Sequence, residues 1–182
     1  MRAFVAIDLP ADIRAALAAV QADLRVGRLV PEENLHLTLA FLEDQPEAVL
    51  RALHGRLYTL QPDPVILRLQ GLELFGGKAP RVLYLRADGG EALRALRRKV
   101  RQAAGEVGID LPRERFRPHV TLARFRRDMR PEQIAQLGRF LERQGDAALP
   151  PFGIQSFSLF ASRLLPEGAV HEALAAYPVP TA

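Results

Sequence analysis

The chain has 182 residues, of which 48% are hydrophobic and 25% charged, a composition typical of a folded domain. It contains no cysteine, which excludes disulfide bonds, thiolate metal sites and a cysteine nucleophile. The apolar stretches are too short to span a membrane, and the first of them is too short for the core of a signal peptide. The sequence therefore predicts one compact, cytoplasmic protein with no membrane-embedded part.

The formal net charge of +4 is concentrated in one part of the chain. The stretch from Arg94 to Arg130 holds twelve basic and four acidic residues, so it carries +8 and the remainder −4. Only Lys78 and Lys99 of the 25 basic residues are lysines, and the planar guanidinium of arginine suits bidentate contacts with phosphate. Such a stretch is typical of a surface that binds a polyanion such as RNA. A genome that favours arginine codons, together with an ordinary solvated helix face, explains the pattern equally well.

The first half of the chain has the hydrophobic spacing of three strands and two helices. Pro10 and Pro46 mark the two helix starts, and Gly27 is the predicted end of the first helix. The predicted elements are a strand at residues 4–8, a helix between 10 and 27, a strand at 35–41, a helix after 46 and a strand at 65–75. The residues of the first helix that are predicted to face the core are Ile13, Leu17, Val20 and Leu24.

The second half repeats this order. The predicted elements are a strand at residues 81–87, a helix after 90, a strand at 119–125, a helix after 131, one strand through 150–160 and a last strand at about 170–177. The helix after Pro131 is predicted to face the core with Ile134, Leu137 and Leu141.

A repeat of roughly 80 residues that occurs only twice is too long for a solenoid. We therefore predict one two-lobed domain over residues 1–182, with halves at roughly 1–80 and 81–182 that are free to exchange strands. The predicted fold class is α+β, with two pseudo-symmetric lobes whose middle strands meet at a cleft.

The middle strand of each half carries nearly the same motif. The first copy is His36-Leu37-Thr38-Leu39-Ala40 and the second is His119-Val120-Thr121-Leu122-Ala123. Only four histidines occur in the chain, so two of them in a repeated motif are informative. Strand alternation predicts a polar face in each copy and a core face opposite to it. The predicted polar faces hold His36, Thr38 and Ala40 in the first copy and His119, Thr121, Ala123 and Phe125 in the second, and the predicted core face of the first copy holds Leu35, Leu37, Leu39 and Phe41.

Two imidazoles and two hydroxyls on matching strands suit in-line displacement at phosphorus. One imidazole removes a proton from the nucleophile, the other donates a proton to the leaving oxygen, and hydroxyls bind the non-bridging oxygens. Three other interpretations remain open: strand-edge residues that bond only to backbone, a metal site on the two histidines, and a module that binds RNA ends without catalysis. The metal interpretation is disfavoured because neither motif contains Asp, Glu or Cys to complete a ligand set.

These motifs and their flanks resemble the two-histidine phosphoesterase superfamily, and within it the RNA 2′,3′-cyclic phosphodiesterases, also called 2′-5′ RNA ligases. The resemblance covers nearly the whole chain. Its segments are Phe4-Val5-Ala6-Ile7, Asn34 to Leu39, Arg117 to Arg124, Leu159 to Leu164 and Pro166-Glu167-Gly168-Ala169.

The resemblance implies a bilobal fold of two antiparallel sheets around a central cleft, with helices packed outside. It also implies hydrolysis of the 2′,3′-cyclic phosphate on RNA ends to a 2′-phosphate without a metal, a nucleotide or any other cofactor. By the same resemblance His36 is the proton donor to the departing 3′ oxygen and His119 is the base that activates water. Thr38 and Thr121 are expected to hold phosphate oxygens. The RNA end, and possible small cyclic nucleotides, are the expected partners of a monomeric chain.

Other site residues are predicted on weaker grounds. Arg124 is expected to bind phosphate, although strict alternation turns it away from His119 unless a β-bulge intervenes. Base stacking is assigned to Phe41, Phe125 or Tyr84, because family members often have aromatic residues where this chain has Leu29 and His171. Additional substrate contacts are predicted at Arg117 and His171. Ligation uses the same groups in reverse, and the sequence does not separate it from hydrolysis.

Overall fold

The computed structural model describes residues 1–166 and 168–182. Glu167, part of the family resemblance, lies outside the described residues. Within these residues the chain forms four α-helices, nine β-strands and a short 3₁₀ helix, Glu32–Asn34. The α-helices are α1 (Ala11–Gln21), α2 (Glu47–Tyr58), α3 (Gly90–Glu106) and α4 (Pro131–Gln144). The strands are β1 (Arg2–Asp8), β2 (Arg28–Leu29), β3 (His36–Asp44), β4 (Ile66–Phe75), β5 (Val82–Asp88), β6 (His119–Arg124), β7 (Ala148–Gly153), β8 (Ser156–Leu165) and β9 (Gly168–Pro178).

The strands form one antiparallel path in the order β7-β4-β5-β6-β3-β1-β8-β9, and β2 pairs with the end of β6. The two histidine-bearing strands, β3 and β6, meet at the centre through the single pair Leu37↔Val120. The predicted two sheets are thus the two halves of one path, joined at this pair. The predicted α+β class is confirmed.

Each half of the sheet contains strands from both halves of the sequence. Strand β4 lies beside β5, although it belongs to the first half of the sequence, and β8 lies beside β1. The helices cross over in the same way, because α1 contacts β6 and α3 contacts β3. Each histidine strand is therefore supported by the helix that belongs to the other sequence repeat.

The predicted helix starts are confirmed, but the end of the first helix and the buried stripe of the last helix were predicted wrongly. Helix α1 ends at Gln21, and Leu24 reaches the core from the loop beyond it, where the chain has already turned toward β2. In α4 the predicted inward residue Ile134 is 44% exposed, whereas Phe140 is 1% exposed, so the buried stripe runs along Leu137 and Phe140. None of the helices in the described ranges is long and apolar enough to cross a membrane.

The single strand predicted through residues 150–160 is wrong. The chain forms two strands there, because β7 pairs with β4 in one half of the sheet and β8 pairs with β1 in the other. Ile154 lies between them with no exposed surface, and its burial anchors the crossing. The long strands β4 and β8 therefore lie in opposite halves of the sheet. One strand separates each of them from the histidine-bearing strand of its half.

Candidate active site

The central pair of the sheet sets the geometry of the site. Leu37 and Val120 are both fully buried on the core side, so the neighbouring side chains point to the opposite side. In an antiparallel pair this register puts His36 across from Thr121 and Thr38 across from His119. We call the surface formed by these four residues the histidine face. In this register each histidine lies opposite a threonine of the other strand.

Both strands contain a register shift at the same position of the motif. In β3 the partners of Thr38 and Ala40 on β1 are consecutive residues, Ala6 and Val5, so Leu39 is the extra residue of a bulge. In β6 the partners of Thr121 and Ala123 on β5 are likewise consecutive, which makes Leu122 the extra residue. The bulge reverses the alternation that strict strand geometry predicts.

Four face predictions are corrected by these bulges. Ala40 and Ala123, predicted on the histidine face, are 3% and 0% exposed in the core. Phe125, predicted there as well, is 5% exposed and packs within the core cluster. Phe41, predicted in the core, is 58% exposed, and its ring centroid lies 6.3 Å from that of Phe4 beside His36. Arg124 occupies the corresponding position of the second copy and is exposed, as the predicted contact with phosphate requires.

The backbone carbonyl of each bulge residue is held by a side chain from the crossed-over helix. Gln21 Nε2, at the end of α1, donates to Leu122 O at 2.8 Å and to Val30 O at 2.9 Å. Arg97 Nε, on α3, donates to Leu39 O at 3.3 Å. Both side chains are largely enclosed, with Gln21 5% exposed and the Arg97 side chain 12% exposed. The two bulges therefore have the same kind of support, provided by different residue types.

The two histidines share a second contact. His36 Nδ1 lies 2.7 Å from Asn34 O, and His119 Nδ1 lies 2.7 Å from Arg117 O. A carbonyl oxygen can only accept a hydrogen bond, so Nδ1 carries the hydrogen in both rings. This leaves Nε2 of each ring as the atom that gains or loses a proton. Two such imidazoles on one face can accept one proton and donate another.

The surroundings of His36 are aromatic and enclosed. The ring centroid of Phe4 lies 4.8 Å away, that of His171 lies 5.5 Å away, and Phe160 stacks on Phe4 at 5.0 Å. Desolvation in this cluster lowers the pKa of His36 to about 4, against the opposing effect of the Asn34 carbonyl. Burial also lowers the pKa of His171, with a further contribution from the charge of Arg124. Both imidazoles are therefore neutral at pH 7 in the free protein.

The surroundings of His119 are built differently. Its ring meets Tyr84 at 5.1 Å and Phe75 at 5.2 Å between centroids, and those two rings stack at 4.0 Å. The Tyr84 hydroxyl donates to Glu73 Oε2 at 2.7 Å, and burial is the main cause that raises the pKa of Tyr84 to about 12. Arg86 forms an ion pair with the same carboxylate at 3.3 Å. An uncharged phenol held by a carboxylate thus supports this ring.

Most of the predicted site residues lie on or beside the histidine face, and some do not. Thr38, Thr121 and His171 are partly buried on or beside the histidine face. Arg124 is close enough for its charge to lower the pKa of both His36 and His171. Arg117 is an exposed residue of the loop before β6, and it contacts His119 through its carbonyl. Tyr84 is 5% exposed, which leaves little of its ring for stacking on a base.

Sequence reasoning missed the supporting residues. Gln21 follows Leu17 at a spacing of four, so it is a polar residue in the apolar stripe of α1, and this was a usable signal. Arg97 gave no such signal, because one arginine among several on an amphipathic helix resembles a solvated residue. Among the described residues, no group of three or more His, Cys, Asp or Glu side chains is arranged to hold a metal ion.

Comparison with known proteins identifies relatives along most of the chain. The family model of the 2′-5′ RNA ligase superfamily matches residues 9–152. An RNA 2′,3′-cyclic phosphodiesterase from Thermus thermophilus is 35% identical over 96% of this chain and 88% of its own length. A protein of the same name from Aeropyrum pernix is 29% identical over 81% of this chain and 83% of its own.

Solved structures agree with these relatives. TT0787 of Thermus thermophilus superimposes with a TM-score of 0.79 at 29% identity, over 100% of this chain and 99% of its own. E. coli LigT, solved in complex with 3′-AMP, gives a TM-score of 0.73 at 26% identity, over 98% and 96% of the two chains. The fold and the named relatives are those of cyclic phosphodiesterases. The chain belongs to the 2′-5′ RNA ligase superfamily, as its sequence predicted.

Proposed function

We propose that the protein hydrolyses the 2′,3′-cyclic phosphate at RNA ends to a 2′-phosphomonoester, without a metal ion. Relatives named RNA 2′,3′-cyclic phosphodiesterase support a cyclic phosphodiesterase activity in this chain. The observation that carries the proposal is the pair of histidines on one face, each held through Nδ1 by a backbone carbonyl. Such a pair supplies one proton acceptor and one proton donor, which are the two groups that this hydrolysis needs.

In the proposed reaction His119 Nε2 takes a proton from water, whose oxygen attacks phosphorus in line with the 3′ oxygen. The new P–O bond forms as the bond from phosphorus to the 3′ oxygen breaks, and His36 gives its Nε2 proton to the departing oxygen. The phosphate stays on the 2′ oxygen. Thr38, Thr121 and Arg124 bind the non-bridging oxygens, where negative charge accumulates in the transition state.

As the proton donor, His36 must be protonated before the reaction. Its pKa of about 4 leaves it neutral at pH 7 in the free protein, so it must gain a proton when substrate binds. A phosphate anion beside the ring favours the imidazolium and offsets the positive charge of Arg124, and both effects raise the pKa. The reverse assignment, with His36 as the base, has the lowered pKa in its favour, because a neutral ring accepts a proton directly.

The same groups run the reaction backwards when a 5′-hydroxyl takes the place of water. Water is present at tens of molar, so we propose that hydrolysis prevails unless the hydroxyl end is held in position. In this proposal the arginine-rich stretch around β6 attracts the RNA backbone, so we expect the activity to fall as the salt concentration increases.

The test is incubation with a short RNA that ends in a 2′,3′-cyclic phosphate, in the presence of EDTA, followed by identification of the product isomer. We expect a 2′-phosphomonoester at an undiminished rate. Complete loss of activity in EDTA, restored by zinc or manganese, contradicts the metal-independent mechanism. A 3′-phosphomonoester contradicts the assignment of the leaving oxygen.

A further inference from the structure

A basic pocket lies at the end of β6, beside the histidine face. Its volume is about 790 Å³, within the usual range for ligand sites. It is formed between the turn that precedes β2, the end of β6 and the start of α4. The arginines that line it are Arg28, Arg124, Arg126 and Arg130.

The positive charge of Arg124, Arg126 and Arg130 is poorly compensated. The one acidic side chain in the described lining is Asp128, which pairs with Arg126 at 3.4 Å. Both members of that pair are at least 74% exposed, so the pairing is weak and screened by solvent. Within the described residues neither Arg124 nor Arg130 forms an ion pair. Like charges gathered in a concave surface repel one another unless an anion enters.

Arg124 connects the pocket to the histidine face. It lines the pocket, and its charge also acts on His36 and His171. A phosphate at the histidine face and a second phosphate in the pocket would therefore lie on either side of one guanidinium.

Given the hydrolysis proposed above, we infer that this pocket binds the phosphodiester on the 5′ side of the cyclic end, through Arg126 and Arg130. The 5′ part of the RNA then leaves the site along the end of β6. Met129, which is partly buried against the core, also lines the pocket and offers an apolar contact for the adjoining sugar.

The alternative path for the RNA is the loop before β6, which contains Arg113 and Arg115. This loop lies at the opposite end of the strand. Its Glu114 stands between the two arginines in sequence and pairs with Arg97 of α3 at 3.2 Å. The carboxylate reduces the attraction of the loop for phosphate. The pocket is also concave and shares Arg124 with the histidine face, and both properties favour it over the loop.

The experiment compares two substrates on the full chain. One is a 2′,3′-cyclic mononucleotide, which has no preceding phosphodiester, and the other is a dinucleotide with a cyclic phosphate end, which has one. We expect the double variant Arg126→Gln/Arg130→Gln to raise KM for the dinucleotide by about tenfold, as the loss of charged hydrogen bonds predicts. Its kcat/KM for the mononucleotide should stay at the wild-type value.

Two further variants complete the design. Arg139→Gln/Arg143→Gln removes the same charge from exposed positions of α4 outside the pocket, and it should affect neither substrate. Arg113→Gln/Arg115→Gln tests the loop. A larger dinucleotide KM in the loop variant than in the pocket variant overturns the inference, and so does a pocket variant that binds both substrates like the wild type. Inactivity of the wild type on both substrates would instead refute the proposed function itself.

Discussion

The two histidine strands are alike in backbone and different in surroundings. Each has a bulge after its threonine, a side chain from the crossed-over helix on the bulge carbonyl, and an Nδ1 contact to a carbonyl two residues earlier. The neighbours of His36 are Phe4 and a second imidazole, whereas those of His119 are Phe75 and a phenol that is held by Glu73. The backbone therefore gives both rings the same kind of support, and the flanking strands give each ring different neighbours.

Acid–base chemistry explains why such a difference is useful. The reaction proposed above needs one group that donates a proton and one that accepts a proton, and different surroundings favour such a division of roles. The ring neighbours of His36 come from β1, β8 and β9, and those of His119 come from β4 and β5. The following predictions test whether the two histidine strands, which have similar backbone support, have different roles in the reaction.

The largest effect is expected from removing either ring. His36→Ala and His119→Ala should each lower kcat by about 10²- to 10⁴-fold, since each removes a group that transfers a proton in the proposed mechanism. The double variant should lose less than the product of the two losses, because the rings act as a unit. Steady-state kinetics on the cyclic dinucleotide measure all three, and binding of RNA by the variants controls for folding.

A substrate with an activated leaving group assigns the roles. A diester with a nitrophenolate leaving group needs no proton donor, so it should partly restore the activity of His36→Ala and leave His119→Ala inactive. Restoration of His119→Ala alone would mean that the roles are exchanged, in line with the low pKa of His36. If neither variant recovers, positioning of the phosphate and not proton transfer is their main contribution.

A smaller effect is expected at the bulge supports. Gln21→Met keeps the approximate size of the side chain but removes the donor to Leu122 O and Val30 O, and the histidine face next to that bulge should lose alignment. A displacement of about 1 Å costs up to about 10²-fold in rate, so kcat should fall by about tenfold or more. Leu122 O still accepts a hydrogen bond from Val30 N–H at 2.9 Å, whereas Val30 O loses the Gln21 donor. The free energy of unfolding should therefore fall by about 1 to 3 kcal/mol.

The same substitution at Gln136, an exposed residue of α4, is the matched control and should change neither kcat nor melting temperature. If Gln21→Met loses stability but keeps the wild-type kcat and pH profile, then Gln21 only stabilises the fold and does not position the site.

The smallest effect concerns stability and pH. His36 gains a proton near pH 6.5 when unfolded but only near pH 4 when folded, so the unfolded chain binds more protons between these values. The free energy of unfolding should therefore decrease as the pH falls from 6.5 to 4 and level off below. Allowing for the partial exposure of the ring, the loss from this group between pH 7 and pH 5 is on the order of 1 to 2 kcal/mol.

Chemical denaturation at pH 7 and pH 5 measures this change, with His36→Asn as the reference. The variant should lose less stability on acidification than the wild type, and the remainder should include His171, whose pKa is lowered as well. An equal loss in both proteins would show that the aromatic surroundings of His36 do not disfavour its charged form.

The sequence predicted the elements and the motif well because both depend on local patterns. The alternation of residues 36–39 and 119–122 and the prolines at the starts of α2 and α4 were sufficient. The bulges at Leu39 and Leu122 were not predictable, because they arise from pairing with β1 and β5 and leave no mark in the alternation itself. Consequently Arg124 could be expected near the histidines only by allowing for a bulge, and Phe41 and Phe125 were assigned to the wrong faces.

The exchange of helices between the two repeats has a consequence for folding. Gln21 and Leu122 are 101 residues apart in sequence, and Arg97 and Leu39 are 58 apart. Closing such long loops is slow compared with forming a helix, so the helices appear early and these contacts late. A refolding chain should regain its helical circular dichroism before its activity, because neither ring is aligned until the opposite half of the chain has docked. Translation imposes the same order, since the support for His36 leaves the ribosome only after α3 has been made.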